Sequence, residues 1–214
     1  MFKKILIGLV VVIAALCIVV ATRPDTLHIE RTATVAAPVE FVFPLVNDFH
    51  HWGSWSPWEK LDTSMKKEFE GGPGVGAKYH WVGNDKVGEG RMTITESKPN
   101  EKVVINLEFL KPFAMTSNVT FTFKPAGPGT QVLWASDGNQ NFMAKGYGLF
   151  VNMDQLVGKD YEAGLAAMTP AAAGEVQKAV VTEAAMKAAA AAAMPSPSPA
   201  PAAPPPPPAK KPKK

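Results

Sequence analysis

The stretch GEGRMTITESKPNEKVVINLEF, residues 88–109, decides the fold of this chain. Apolar and polar side chains alternate in residues 88–97 and again in 102–109, which is typical of strands with one face in a core. The Lys-Pro-Asn sequence at 98–100 separates the two runs and has turn chemistry. Because so short a connection joins antiparallel neighbours, the stretch predicts a β-hairpin.

Further runs of the same kind lie on both sides of this hairpin. We predict strands at 27–35, 66–70, 77–82, 116–124 and 130–136, and turns at 71–74, 83–85 and 126–129. The short loops between successive strands predict an antiparallel meander, seven strands in all.

Two segments have helical spacing. A short helix is predicted to begin at Ala37-Pro38, with Glu40 in its first turn and Pro44 limiting its length. A second, about 27 residues long, is predicted from Asn141, and its apolar stripe comprises Phe142, Gly146, Leu149, Phe150, Met153, Val157, Tyr161, Leu165 and Met168. The order predicts an α+β architecture, a curved antiparallel sheet around one long helix with a space between them.

Four stretches carry a resemblance to a known family: residues 31–38, 46–58, 88–94 and 150–165. In order and residues the chain resembles the START-like, or SRPBCC, superfamily over residues 25–168. It is most similar to the polyketide cyclase/dehydrase and lipid-transport branch, and to small bacterial members with an N-terminal transmembrane segment. The resemblance implies the helix-grip fold, but not one function, since the superfamily includes lipid carriers, cyclases, hydrolase-like enzymes and proteins without a known ligand.

Composition divides the chain into four parts. Residues 1–24 contain the uncharged run 5–21, residues 171–194 are rich in Ala, and residues 195–214 contain only Pro, Ala, Ser and Lys. Residues 25–170 remain for one domain with a core, the predicted helix-grip domain. We expect the Ala-rich part to be a helical extension and the last part to be a disordered polyproline II tail.

Charge argues against a nucleic-acid partner. The chain has 22 Lys and Arg, of which three precede residue 25 and five follow residue 182, leaving 14 against 18 of the 19 acidic residues. The middle of the chain is therefore mildly acidic and lacks the basic surface that phosphates require. The lysines at the end of the tail could contact an anionic envelope polymer or lipid headgroups, or be solvated without a partner.

The N-terminal run is a membrane segment or a signal peptide. Lys3 and Lys4 precede residues 5–21, and Arg23-Pro24 closes the run. The two lysines favour a cytoplasmic N-terminus with the domain exported, as a single-pass inner-membrane protein. Val19-Val20-Ala21 also fits a cleavage site, which would release the domain to the periplasm.

Large apolar side chains are expected to face the space between sheet and helix. They would suit an apolar ligand held by contact area, or they would fill a solid core. The candidates are Trp55 and Trp58 from an aromatic loop, Tyr79, Trp81, Met92, Ile94, Phe109, Phe121 and Trp134 from the strands, and Phe142, Leu149, Met153 and Leu156 from the helix.

No catalytic or metal motif is evident. His50 and His51 are adjacent and lack a His-Glu-x-x-His motif or a Cys partner, so no metal and no cofactor are expected. Arg91, Asp137, Asp154 and Asp160 are possible acid, base or orienting groups, but their spacing selects no reaction.

Three functions remain open from the sequence. The first is a membrane-tethered binding protein for a small apolar molecule, such as a lipid, an isoprenoid quinone or a polyketide-like compound. The second is a cyclase- or dehydratase-type enzyme that uses the same pocket. The third is an envelope adaptor that acts through its polyproline and lysine tail at residues 195–214.

Overall fold

The computed structural model describes residues 2–112 and 114–192. Its helices are α1 (Phe2–Ala21), α2 (Val39–Asn47), α3 (Phe142–Tyr147) and α4 (Met153–Ala192), and its strands are β1 (Thr26–Val35), β2 (Lys66–Glu70), β3 (Lys78–Val82), β4 (Glu89–Lys98), β5 (Lys102–Lys111), β6 (Met115–Ala126) and β7 (Gly129–Asn139). The strands form one antiparallel sheet in the order β1-β7-β6-β5-β4-β3-β2. The α+β helix-grip prediction is confirmed, and every strand lies within three residues of its predicted bounds.

The two ends of the sheet carry different elements. Thr26 at the start of β1 lies opposite Asn139 at the end of β7, and Val35 lies opposite Thr130. We call the end of the sheet where β1 starts the near end. Helix α1 precedes β1 at this end, and α3 follows β7 at the same end. The β4–β5 and β6–β7 turns lie at the other end, the far end.

Helix α2 fills the far half of the space enclosed by the sheet. Its apolar positions are spaced so that Val42, Leu45 and Val46 all face inward and are buried. Phe43 of α2 meets Phe123 of β6 edge to face, with ring centroids 5.5 Å apart. This half is therefore a solid core.

A 3-10 segment, Phe49–Ser54, follows α2 and brings two indoles into that core. Trp52 donates its indole N–H to the Val46 carbonyl at 3.2 Å, and Trp55 donates to the Leu45 carbonyl at 2.8 Å. These two carbonyls of the last turn of α2 have no partner within the helix, and the buried indoles supply their hydrogen bonds. A second 3-10 turn, Trp58–Lys60, continues toward β2.

The segment predicted as one helix from Asn141 is two helices. Gly148 caps α3, and Asn152 accepts a hydrogen bond from the Gln155 backbone N–H at 3.1 Å to start α4. The prediction of one continuous helix was wrong at residues 148–152. The apolar stripe continues through this segment, although Gly148 ends one helix and Asn152 starts the next. Residues up to Gln177 form one compact unit. The described part of a second unit, residues 178–192, is helical. The predicted tail at 195–214 lies outside the described residues.

We expect Trp55→Ala to destabilise the domain strongly. Trp55 is fully buried, so truncation removes apolar contacts and leaves the Leu45 carbonyl without its donor. A loss of about 3–5 kcal/mol in the free energy of unfolding is expected by denaturant titration. Trp58→Ala, in a half-buried residue, is the control and should cost less; equal losses would contradict a solid far half.

Candidate ligand cavity

A cavity of about 340 Å³ lies between the near half of the sheet and the start of α4. All strands except β2 contribute to its walls, which are mostly apolar and aromatic. The apolar and aromatic lining residues are Leu27, Ile29, Trp52, Trp58, Met65, Tyr79, Trp81, Val87, Met92, Leu107, Phe109, Met115, Val119, Trp134, Met153, Val157 and Tyr161.

An aromatic stack on β7 supports α4 above the sheet. The rings of Trp134 and Tyr161 are nearly parallel, with centroids 4.0 Å apart. Gly164 lies against the same indole: a Cβ there would come within 2.8 Å of Trp134 Cζ3. Trp55 of the solid core packs edge to face against Trp134, with centroids 5.5 Å apart, so Trp134 contacts both the core and α4.

A second close approach fixes the first turns of α4 to β1. The Arg31 guanidinium donates to Asp154 at 2.9 Å and to Glu162 at 2.8 Å, and these partners raise the pKa of Arg31. A Cβ at Gly158 would lie 2.0 Å from Arg31 Nη2, so this helix position must be glycine for the guanidinium to reach both carboxylates. These charged contacts lie outside the cavity lining and fix the start of α4 to the sheet beside it.

Polar groups lie where the second 3-10 turn, Trp58–Lys60, meets the cavity. The Glu59 side chain is only 7% exposed; it accepts a hydrogen bond from the Tyr79 hydroxyl at 2.7 Å and pairs with Lys67. Burial, together with this hydrogen bond, raises the pKa of the Tyr79 hydroxyl. The result is a carboxylate and a phenol at the edge of an apolar space.

Asp160 brings a carboxyl group from α4 to the cavity wall. Burial raises the pKa of Asp160, and a hydrogen bond with Trp58 opposes that shift. The neighbouring Tyr161 is buried more deeply; burial raises the pKa of its hydroxyl, against a hydrogen bond with Ser136 that lowers it. Asp160, Tyr161 and Ser136 thus form a second polar spot.

The structure brings together seven of the thirteen candidate ligand-binding residues. They lie along the cavity wall on the concave face of the sheet, in the loop before β2 and on α4: Trp58, Tyr79, Trp81, Met92, Phe109, Trp134 and Met153.

The other six do not line the cavity, for different reasons. Trp55, Ile94 and Phe121 face inward but lie in the far half, where α2 and the 3-10 segment fill the space. Phe142 is exposed and Leu149 is half-buried, since the helix expected to carry them breaks at residues 148–152. Leu156 is exposed on α4, between Met153 and Val157, which do line the cavity.

Several lining residues were missed from the sequence. Leu27 and Ile29 of β1, Leu107 of β5 and Val119 of β6 line the cavity beside the candidates. Each is in phase with an inward-facing residue of its own strand, so the period-two pattern could have found them. Glu59 had no comparable signal, since it follows an aromatic loop.

Of the four acid or base candidates, Asp160 alone lines the cavity. Asp137 pairs with His28, Arg91 with Glu108, and Asp154 with Arg31, outside the cavity lining. Within residues 2–112 and 114–192, no cluster of three or more His, Cys, Asp or Glu side chains could hold a metal ion.

An antiparallel sheet closed over an apolar cavity by a C-terminal helix defines a helix-grip protein. The family model described as polyketide cyclase/dehydrase and lipid transport matches residues 26–173, and the chain belongs to this family. Among curated proteins, none matches the chain.

Solved structures share this fold at low sequence identity. The di-domain ARO/CYC StfQ from the steffimycin biosynthetic pathway is 12% identical with a TM-score of 0.52, over 71% of this chain and 52% of that one. Ara h 8.0201 is 11% identical with a TM-score of 0.50, over 70% and 99%. A protein from Nitrosospira multiformis is 22% identical with a TM-score of 0.49, over 67% and 94%.

We expect Asp160→Asn to raise the melting temperature at neutral pH. The raised pKa of Asp160 means that its ionised form disfavours folding, a penalty that vanishes as pH falls below the ordinary Asp pKa of about 3.9. Asn retains an oxygen acceptor for Trp58. The two proteins should therefore converge in acid, measured by thermal unfolding across pH.

Asp154→Asn is the matched control on the same helix. Arg31 lowers the pKa of Asp154, so this carboxylate stabilises the fold at neutral pH and ceases to do so as pH falls through its folded pKa. Its substitution should lower the melting temperature at neutral pH. The same sign for both variants would contradict the assigned environments.

Proposed function

We propose that this chain is a membrane-tethered binding protein that holds a small apolar ligand in the cavity between the sheet and α4. The ligand class is a lipid, an isoprenoid quinone or a polyketide-like compound. The observation that carries the proposal is the apolar, aromatic lining of the cavity, supported by membership of a family described as polyketide cyclase/dehydrase and lipid transport.

The size and surface of the cavity favour binding by contact area. Its volume of about 340 Å³ lies at the lower end of small-molecule sites, roughly 300–1,000 Å³. Met65, Met92, Met115 and Met153 line it, and unbranched thioethers adapt to irregular ligand shapes. Burial of apolar area, at about 25 cal/mol per Å², then holds the ligand without a covalent step.

Helix α1 is the proposed tether. It has 20 residues, and an 18-residue stretch of it has a mean hydropathy of 3.0 with 6% of that stretch buried, so in length and composition it can cross a membrane. At 1.5 Å per residue it reaches about 30 Å, the thickness of a hydrocarbon core. Lys3 and Lys4 in its first turn favour a cytoplasmic N-terminus and an extracytoplasmic domain.

Ligand recovery from the full chain tests the binding proposal. Native mass spectrometry of detergent-solubilised protein, with extraction of the bound molecule, should show a stoichiometric apolar adduct. Leu107→Trp places an indole into the cavity wall and should lower ligand occupancy about tenfold or more, equivalent to about 1.4 kcal/mol.

Leu133→Trp is the matched control for Leu107→Trp. Leu133 precedes the inward-facing Trp134 in β7, so its side chain points to the opposite face of the sheet. Occupancy should stay at the wild-type level. No adduct in the wild type, or equal losses in both variants, would contradict binding in the cavity.

The tether is tested by alkaline extraction of membranes. The wild-type chain should stay in the pellet, whereas Leu9→Asp with Val12→Asp should release it, because each acidic residue in the middle of a membrane helix costs about 2.5–3.5 kcal/mol. Thr22→Asp, one residue beyond α1, is the control and should stay bound. An intact mass that lacks α1 would instead indicate a cleaved signal.

A second function has a specific observation in its favour. Asp160, and the Glu59 carboxylate with the Tyr79 hydroxyl, bring ionisable groups to the wall of an apolar cavity, as acid–base chemistry of a cyclase or dehydratase requires. The recovered ligand distinguishes the two. A ligand released with unchanged mass and unchanged chromatographic retention supports binding alone. Unchanged mass with altered retention supports ring closure by a cyclase, and loss of one water supports a dehydratase.

A further inference from the structure

An exposed apolar surface surrounds the near end of the sheet. It consists of six large side chains between 40% and 80% exposed, and we call it the apolar rim. The rim residues are Leu110 and Met115, which flank the β5–β6 connection, Phe142, Met143 and Tyr147 of α3, and Phe150 after it. So many large apolar side chains at one end of a domain mark a contact surface.

The rim adjoins the end of α1. The α1 residue Val20 is buried although the rest of the helix is exposed, and its Cγ2 lies 4.0 Å from the Cβ position of Gly146 in α3. Lys145 of α3, itself buried, pairs with Asp25 just before β1. Helix α3 is thus held against the base of the proposed membrane anchor.

The chain between α1 and the sheet is short. Ala21 ends α1 and Thr26 starts β1, so five Cα steps of 3.80 Å limit their separation to about 19 Å. The register of β1 and β7 puts α3 at the same end of the sheet. If α1 spans a bilayer, the near end of the domain must lie close to the bilayer surface.

The cavity opens at this same end. Among its lining residues, Lys86, Met115 and Asn139 are exposed, and all three lie at or beside the near ends of their strands. Gln140 and Met153, which flank the α3 segment in the chain, also line the cavity. The rim therefore surrounds the mouth.

We propose that the apolar rim is seated in the interfacial layer of the bilayer that α1 spans, so that the cavity mouth opens onto lipid and the ligand enters from the membrane. This rests on the membrane tether of the proposed function. Aromatic side chains such as Phe142, Tyr147 and Phe150 favour that layer. The far end, with its Lys98-Pro-Asn-Glu101 turn, then faces water.

Spin-label accessibility in membranes tests the proposal with the full chain. Three proteins are reconstituted in vesicles of phosphatidylcholine and phosphatidylglycerol: the wild type labelled at Cys17, the chain's single cysteine, and two Cys17→Ser variants with Phe150→Cys or Glu101→Cys. Cys17 reports the anchor, Phe150→Cys the rim, and Glu101→Cys the far end. Power saturation compares collisions with oxygen, which partitions into lipid, and with a water-soluble nickel chelate.

The expected result is an oxygen-to-nickel accessibility ratio at Phe150→Cys that approaches the ratio at Cys17 and exceeds that at Glu101→Cys. A lipid-like ratio at Cys17 with a water-like ratio at Phe150→Cys would overturn the seating of the rim and leave the tether intact. A water-like ratio at Cys17 would refute the tether and the rim together. Protection of the rim from both reagents would indicate a second copy or another protein on it, which also overturns the proposal.

A second rim position guards against a variant that does not fold. Met143→Cys in the Cys17→Ser background lies on the exposed surface of α3, where a label replaces no buried side chain. It should give the same lipid-like ratio as Phe150→Cys. A water-like ratio at both positions, in proteins with wild-type thermal unfolding, would refute the proposal.

Discussion

The contact of α4 with Trp134 is the constraint on which the rest of the structure depends. Tyr161 stacks on this indole, and Gly164 allows the helix backbone to approach it as no larger residue would. The helix is therefore fixed at one height above the sheet. Where Trp55 and Phe121 fill that height from below, the interior is solid; toward the near end, where no such layer exists, the same height leaves a cavity.

The solid half and the cavity half of the domain also differ in the contacts that hold α4. Beyond Tyr161, α4 is fixed by buried apolar residues such as Leu165 and Met168. Over the cavity, between Asp154 and Glu162, charged contacts from Arg31 hold the helix instead. A helix that covers an open space cannot be held by packing against that space, so contacts at its side must position it.

Much of the fold was predictable from the sequence because its signals are local. Alternating strands with turn residues between them, as at 88–109, specified the sheet. The break between α3 and α4 was not predictable from the apolar stripe, since Phe142 and Phe150 continue the periodicity of a helix that does not continue. Nor could the sequence separate core from cavity. Phe109 and Phe121 have the same chemistry and the same alternation, but Trp52 and Trp55 pack against Phe121, whereas Phe109 lines the cavity.

The apolar lining also determines how sharply such a cavity can discriminate between molecules. Apolar side chains such as Leu107 and Val119 respond only to the size and shape of a ligand. In an apolar pocket, the binding free energies of two compounds that differ by one methylene differ by only about 1–3 kcal/mol. Selectivity from these walls is graded, so a series of related compounds would share the site. Sharp rejection would have to come from polar side chains of the lining, such as Glu59 and Asp160. A ligand that leaves a buried polar group without a hydrogen-bond partner loses the free energy of desolvating that group.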